Sequence, residues 1–232
     1  MKVPFHPGQI LFEDNHLIII NKKSSQIVQG DKTGDVPLSE EIKAYLKERY
    51  DKPGEAYLGV VHRLDRPVSG VVIFAKTSKA LGRLNRMIHD REIHKIYWAV
   101  VNRPPPESEG HLSHFLVKDE KNNKSFALDK EKSRSRLAEL KYRFLLSGDH
   151  YHLLEVELLT GRHHQIRVQL AKIGCIIKGD VKYGSYRPNA DASIHLHAVR
   201  VEFNHPVSGE KISITAPTPK DKLWDYFQTG VS

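Results

Sequence analysis

The sequence predicts an α+β fold built on a mixed, mainly antiparallel sheet. Two observations favour this class: strand-like segments outnumber helical ones, and hairpins replace regular βαβ alternation. The strongest hairpin signal is the alternation of apolar and charged residues over 138–144, which repeats over 154–158 after a Ser-Gly-Asp turn at 147–149. A doubly wound nucleotide-binding fold is therefore not expected.

The first third of the chain predicts two strands, a helix and a buried strand. Short apolar runs at 10–12 and 17–20 are separated by polar turn residues. Apolar residues then recur at helical spacing from Leu38 to Leu46, and the helix must end before Pro53-Gly54. The continuous apolar run 71–74 is typical of a strand buried on both faces.

The remaining elements follow from the same signals. Thr77 or Ser78 can cap a helix whose apolar residues are Leu81, Leu84 and Ile88. Further segments predict a strand at 93–101, an exposed loop-rich insertion at 102–135, a helix from Ile166 that Gly174 ends, strands at 194–203 and 212–214, and a short helix near Trp224.

The charge balance favours a polyanionic partner. The 232 residues include 36 Lys or Arg and 28 Asp or Glu, which gives a net charge of +8. RNA, DNA and an anionic membrane surface fit this charge, but no apolar run approaches the ~18 residues of a membrane span and the N-terminus is too polar for a signal peptide. One cysteine, Cys175, excludes a disulfide framework, so a reducing cytoplasm is the expected location.

Asp65 is the first candidate for chemistry, because it lies between Arg63 and Arg66 just before a proline turn and a buried strand. The simpler interpretation is a surface salt bridge or a turn-capping carboxylate. The functional interpretation is a nucleophile or base that the neighbouring cations keep ionised. From the local sequence alone the two remain open.

Two further segments carry candidate residues. In the donor-rich stretch 160–167, helical spacing would place His163 and Arg167 one turn apart on one face, either as an anion clamp or as a solvated basic helix end. In a regular strand, Tyr97 and Trp98 point to opposite sides, one into the core and the other free to stack on a base. The 14 histidines lack metal-ligand spacing, so no native metal site is expected.

Several motifs, in order along the chain, resemble those of the RluA-type family of RNA pseudouridine synthases. The segment His62-Arg63-Leu64-Asp65-Arg66-Pro67-Val68-Ser69-Gly70 resembles HRLDxxTSG, and 95–99 resembles KxYxA. The others are 160–167 (TGRxHQIR), 179–184 (GDxxYG), 196–198 (LHA) and 205–210 (HPxxGE). The likeness covers about 10–220, so the whole chain, 1–232, is expected to be one catalytic domain.

The resemblance implies a catalytic fold with a central cleft, and isomerisation of uridine to pseudouridine in RNA without a cofactor. It makes Asp65 the catalytic carboxylate, which attacks either the sugar or the base. Tyr97 would stack on the uracil and serve as a candidate base, and Arg167 would keep Asp65 ionised and oriented.

The same resemblance suggests RNA-binding residues. Arg63 would contact RNA or fill the gap left by a flipped nucleotide. His62, Arg162 and Gln165 match positions that support the site or bind phosphate.

The chain also departs from the family pattern. Val68 replaces the threonine of the TSG element, which suggests that the missing hydroxyl is structural or dispensable. Residues 21–25, NKKSS, stand where relatives have NKPxG, so a tight proline-dependent turn is not expected there. The chain begins almost at the catalytic fold, so substrate selection is expected to depend on that fold, including the basic loop 118–136.

The leading hypothesis is an RNA uridine isomerase acting on transfer RNA or ribosomal RNA, with transfer RNA slightly favoured because no extra binding domain precedes the fold. The alternative is a catalytically idle RNA-binding or ribosome-assembly factor, for which the charge alone would suffice. A metal-dependent hydrolase ranks third. No obligate protein partner is inferred.

Overall fold

The structure is a computed structural model that describes residues 3–30 and 34–231. The helices are α1 (Leu38–Arg49), α2 (Ser78–His89), α3 (Gln165–Lys172) and α4 (Lys222–Gly230). The strands are β1 (Ile10–Glu13), β2 (Leu17–Lys22), β3 (Gly59–Val60), β4 (Ser69–Ala75), β5 (His94–Val101), β6 (Glu109–Asp119), β7 (Lys124–Leu128), β8 (Arg136–Ser147), β9 (His152–Leu158), β10 (Leu196–Asn204) and β11 (Lys211–Thr215).

The chain divides into two compact units. Unit 1 contains 1–93 and 199–217, and unit 2 contains 94–198 and 218–232. In unit 1 the strands run in the order β1-β2-β4-β10, with β3 beside β4 and β11 beside β10. The pairings β1–β2, β2–β4, β3–β4 and β10–β11 are antiparallel.

The packing of the core of unit 1 explains why the sequence of β4 contains a continuous run of apolar residues. All seven residues of β4 are buried, and α2 covers one face of the strand by packing Ala80 and Leu84 in the cluster that contains Val71, Ile73 and Ala75. Thr77 caps α2 as predicted, since its side chain accepts a hydrogen bond from the Ala80 backbone N–H at 3.1 Å. The strand that follows the Asp65 segment is therefore fixed in the interior of unit 1.

In unit 2 the strand order is β5-β9-β8-β6-β7, with antiparallel pairing throughout. The predicted hairpin is confirmed: Tyr142 pairs with Val156 across β8 and β9. Helix α3 packs on this sheet through Val168, against Leu116 and Ala138. Helix α4 packs separately through Trp224 and Phe227, and Asp221 caps its first turn.

The predicted loop over 102–135 is wrong in its central part. Residues 109–128 contain β6 and β7, and β6 pairs with β8 over eight residues, 109–116, whose burial alternates. The apolar residues of β6, Leu112 and Leu116 among them, are separated by histidine and serine, and this composition obscured the period of two. The α+β class and the mainly antiparallel sheet are confirmed.

Within 3–30 and 34–231, no helix is long and apolar enough to cross a bilayer. The single catalytic domain over 1–232 stays a prediction. The contacts within the chain divide it into two compact units.

Candidate active site

Asp65 lies in a tight turn at the start of the strand that forms the centre of unit 1. The backbone N–H of Val68 donates to the Asp65 carbonyl oxygen at 3.0 Å, which closes the turn just before β4. The Asp65 side chain is half-buried, whereas Val68 is 2% exposed. The carboxylate thus extends from a rigid support, and the apolar Val68 fills the interior position where the family motif has threonine.

A buried lysine stabilises this turn through hydrogen bonds to main-chain carbonyl oxygens. Lys22, at the end of β2, is fully buried, and its Nζ donates to the carbonyl oxygens of Val68 at 2.6 Å, Lys23 at 2.9 Å and Arg66 at 3.3 Å. Burial lowers the pKa of the Lys22 ammonium to about 7, although the Asp65 carboxylate raises it. Lys22 therefore holds the Asp65 turn through main-chain oxygens and an electrostatic attraction.

A tight turn is present in the segment 21–25, although none was expected there without proline. Ser24 and Ser25 form it, and Ser25 adopts a left-handed backbone with φ of 72°. Its N–H donates to the Arg66 carbonyl oxygen at 2.9 Å, on the same segment that Lys22 contacts. This hydrogen bond to the Asp65 turn holds Ser25 in the left-handed conformation, at the position where the NKPxG element has glycine.

The other residues of the HRLDR segment differ in their contacts and exposure. The His62 Nε2 accepts the backbone N–H of Ile73 at 3.2 Å, so the ring supports β4. Arg63 is exposed, as an RNA-contacting residue requires. Arg66 forms an ion pair with Asp35 at 2.8 Å.

Tyr97 lies on β5 in unit 2 and is 5% exposed. It faces Val156 of β9, which faces Tyr142 of β8, so these side chains share one face of the sheet. Helix α3 packs on that face, whereas Trp98 points to the other and contacts the α4 cluster. The prediction that Tyr97 and Trp98 point to opposite sides is confirmed, and Tyr97 shares its face with the helix that carries Arg167.

Arg167 forms a bidentate ion pair with Asp180 that the sequence did not predict. Its Nε donates to Asp180 Oδ2 at 2.7 Å and its Nη2 to Oδ1 at 2.9 Å, with the two side chains 5% and 1% exposed. The guanidinium also lies 5.1 Å from the centre of the Tyr183 ring. This geometry fixes the plane of the guanidinium, while its predicted contact with Asp65 stays a prediction.

The residues before α3 form a second hydrogen-bonded group. The Tyr183 hydroxyl accepts the Ser125 N–H at 2.8 Å and lies 2.9 Å from His164 Nδ1. Burial, followed by the charges of Arg167 and His163, holds the pKa of His164 far below its usual range, so the ring is neutral. His163 stacks on it, with ring centres 3.8 Å apart.

The predicted shared helix face of His163 and Arg167 is wrong. His164 is the N-cap of α3, with a left-handed φ of 54°, and the helix begins at Gln165. His163 therefore precedes the helix. The reversal of the backbone at His164 turns it away from the helical spacing that the prediction assumed.

Arg162 and Gln165 differ in their surroundings. Arg162 is exposed, and its Nε donates to the Leu137 carbonyl oxygen at 3.0 Å. Gln165 is 3% exposed, accepts from Thr160 Oγ1 and the Arg162 N–H, and donates to the Glu139 carbonyl oxygen. These contacts favour a supporting role for Gln165 and leave Arg162 accessible to a phosphate.

Sequence reasoning gave no role to Lys22, Asp180 or Tyr183, although all three lie in or beside the motif segments. The signal was present, since Lys22 lies in the segment that replaces NKPxG, and Asp180 and Tyr183 are residues of the GDxxYG motif. Their partners, however, are main-chain carbonyls and residues distant in the sequence, and these contacts exist only after folding.

Comparison with known proteins identifies the family. Residues 16–172 match the family described as RNA pseudouridylate synthase. The chain is 31% identical to the Ribosomal large subunit pseudouridine synthase D of Zymomonas mobilis, over 93% of this chain and 70% of that protein. It is 34% identical to the Ribosomal large subunit pseudouridine synthase C of Buchnera aphidicola (subsp. Schizaphis graminum), over 90% of this chain and 67% of that protein.

The fold agrees. The solved structure of Human RNA Pseudouridylate Synthase Domain Containing 4 superposes with a TM-score of 0.78 at 22% identity, over 97% of this chain and 93% of that one. The chain belongs to the RNA pseudouridine synthases, and it is an isomerase that converts uridine to pseudouridine in RNA.

Proposed function

We propose that this enzyme modifies ribosomal RNA of the large subunit, with Asp65 as its catalytic carboxylate. The observation that carries the assignment of Asp65 is its position: a half-buried carboxylate on a turn that Lys22 fastens from the interior of unit 1. The choice of RNA is supported by the names of the relatives from Zymomonas and Buchnera.

The chemistry needs a carboxylate that is both exposed and fixed. Uracil must leave its ribose carbon, rotate and rejoin through its own carbon, so a nucleophile must attack the sugar or the ring, or assist elimination. The Asp65 turn is closed by one backbone hydrogen bond and held by Lys22, so the backbone that carries the carboxylate is fixed before RNA arrives. This preorganisation supports a catalytic rather than a surface role.

Tyr97 and Arg167 have supporting roles in this proposal. Tyr97 stacks on the target uracil and takes up a proton released during the rearrangement. Arg167 supplies a guanidinium whose plane Asp180 fixes, and the family motif assigns this residue type the role of keeping the catalytic carboxylate ionised. Arg63, His62 and Arg162 contact RNA or support the site, and Gln165 supports the segment before α3. Neither a cofactor nor a metal enters this scheme.

The first experiment measures pseudouridine formation on unmodified transcripts of large-subunit ribosomal RNA and of transfer RNA, without added metal. Wild-type protein is expected to form product on ribosomal RNA, whereas Asp65→Asn loses activity by at least about a thousandfold, because the amide cannot act as a nucleophile. Asp90→Asn, an exposed carboxylate of the same unit, is the matched control and keeps full activity.

Three outcomes would contradict the proposal. Product from Asp65→Asn would remove Asp65 from the chemistry. Product on transfer RNA alone would move the enzyme to that substrate. Tight RNA binding by wild type and variant, with product from neither, would favour the idle RNA-binding factor.

A further inference from the structure

The outward face of α2 carries a cationic row that no part of the chemistry above uses. Lys79, Arg83 and Arg86 are exposed and follow one another at i, i+4 and i+7, which places them within an arc of about 60° along roughly 10 Å of helix. The buried residues Ala80 and Leu84 face the core of unit 1 instead. We name Lys79, Gly82, Arg83 and Arg86 the α2 stripe.

The stripe is not neutralised by its own helix. Residues 78–89 contain no Asp or Glu, and in the described chain neither Lys79 nor Arg86 has an acidic partner. The Arg83 Nη1 donates to the Pro206 carbonyl oxygen at 2.7 Å, a contact that orients the guanidinium without cancelling its charge. Like charges at this spacing oppose helix formation, so the row is maintained at a cost to the fold.

Helix α1 of the same unit shows the ordinary alternative. Its lysines are paired with carboxylates: Lys43 with Glu40 at 2.8 Å and Lys47 with Glu55 at 3.0 Å. Both helices are twelve residues long and both cover the core of unit 1 with one face. A cationic outer face is therefore specific to α2 and is not required by helix packing.

Gly82 is an independent observation that points to a ligand. It lies in the middle of α2, next to the cations on the same surface, and a Cβ built there would meet nothing within 4 Å. Glycine weakens a helix interior, and no packing reason for it is present at this position. The missing side chain leaves an open surface between Lys79 and Arg86 that a backbone can approach closely.

We infer that the α2 stripe binds the phosphate backbone of the RNA substrate, at nucleotides that flank the target uridine. The inference rests on the proposed function, in that the bound polyanion is the RNA to be modified. Three cations around a bare patch of helix surface match a row of phosphates, and such contacts position the RNA without reading its sequence. The stripe and Asp65 belong to the same unit, so RNA bound at the stripe is held on the unit that carries the catalytic turn.

The test compares charge variants by fluorescence anisotropy with a labelled transcript of large-subunit ribosomal RNA over a range of salt concentrations. Removing two phosphate contacts with the double variant Lys79→Gln and Arg86→Gln is expected to weaken binding about tenfold or more and to reduce the salt slope by about 1.5. In turnover assays the KM rises while kcat is unchanged, because the stripe lies outside the chemistry.

Two matched comparisons separate a local site from the effect of net charge. The double variant Lys43→Gln and Lys47→Gln removes the same charge from α1 and is expected to leave affinity nearly unchanged. Gly82→Glu places a carboxylate in the stripe where there is open space, so it folds and weakens binding, whereas the isosteric Gly82→Gln weakens it less.

The outcomes distinguish this inference from the proposed function. The inference that the α2 stripe binds RNA would be overturned if the α1 and α2 variants weakened RNA binding equally, or if all of them kept the wild-type affinity. If the α2 variants alone weaken binding but wild type forms no product, the stripe stands and the isomerase assignment of Asp65 falls. If product forms normally and KM is unchanged in the α2 variants, the assignment stands and the stripe falls.

Discussion

Asp65 in unit 1 and Arg167 in unit 2 are fixed by different kinds of contact. Asp65 lies on a turn that Lys22 holds through three main-chain carbonyl oxygens. Arg167 is held by the side chain of Asp180, through two hydrogen bonds between charged groups that are both buried. The first arrangement depends on where the backbone runs, and the second depends on the identity of each side chain.

This difference explains which departures from the family motif the chain accepts. Val68 replaces a threonine, but Lys22 contacts the carbonyl oxygen of Val68, which every residue provides. Lys23 replaces the proline of the NKPxG element, and again Lys22 contacts its carbonyl oxygen. A turn held through carbonyls tolerates new side chains, whereas the Arg167–Asp180 pair would tolerate few.

The largest expected effect comes from breaking the buried pair in unit 2. Asp180→Asn leaves the Arg167 guanidinium buried beside a neutral amide, and we expect a loss of about 3–5 kcal/mol in the free energy of unfolding, measured by urea denaturation. Lys172→Met is the control, because it removes an exposed pair with Asp129 and should cost about 1 kcal/mol or less. Equal losses of unfolding free energy in Asp180→Asn and Lys172→Met would show that burial does not determine how much an ion pair contributes to stability.

A smaller effect should follow from removing one hydroxyl in the same unit. Tyr183→Phe leaves the buried Ser125 N–H without its acceptor and removes the contact to His164, so we expect a loss of about 1–3 kcal/mol. Thermal unfolding measures it, with Tyr186→Phe as the control because Tyr186 is 92% exposed. An unchanged melting temperature would show that water or another group satisfies Ser125.

Elements with a strong period were predictable from the sequence, and contacts across long separations were not. The alternation over 138–144 defined β8, and the apolar run 71–74 defined β4. The hairpin of β6 and β7 was missed because its pairing partners, not its composition, make it a sheet. The tertiary fold decides such segments.

The site shows the same limit. The motifs named Asp65, Tyr97 and Arg167, but Lys22 reaches the Asp65 turn across more than forty residues of sequence, and no local pattern records that contact. The left-handed backbone of His164 likewise had no signal, since a non-glycine residue rarely adopts it. These features depend on how the chain folds back on itself.

The last prediction tests how Lys22 holds the turn in unit 1. The pKa of Lys22 is about 7 in the folded protein, below its ordinary value of 10.5, which is taken for the unfolded chain. Between these values the unfolded state binds one more proton than the folded state, so stability rises with pH. Below about pH 7 both states are protonated and this dependence ends.

Lys22→Met removes this titration while keeping a side chain of similar length. The unfolding free energy of wild type minus that of Lys22→Met should therefore rise by about 1.4 kcal/mol per pH unit from pH 8 to 9, measured by urea denaturation. Other groups with shifted pKa values, such as Lys95, are present in both proteins and cancel. A difference that is flat across this window would mean that Lys22 stays charged when buried, and that Asp65 and the three carbonyls together compensate its loss of hydration.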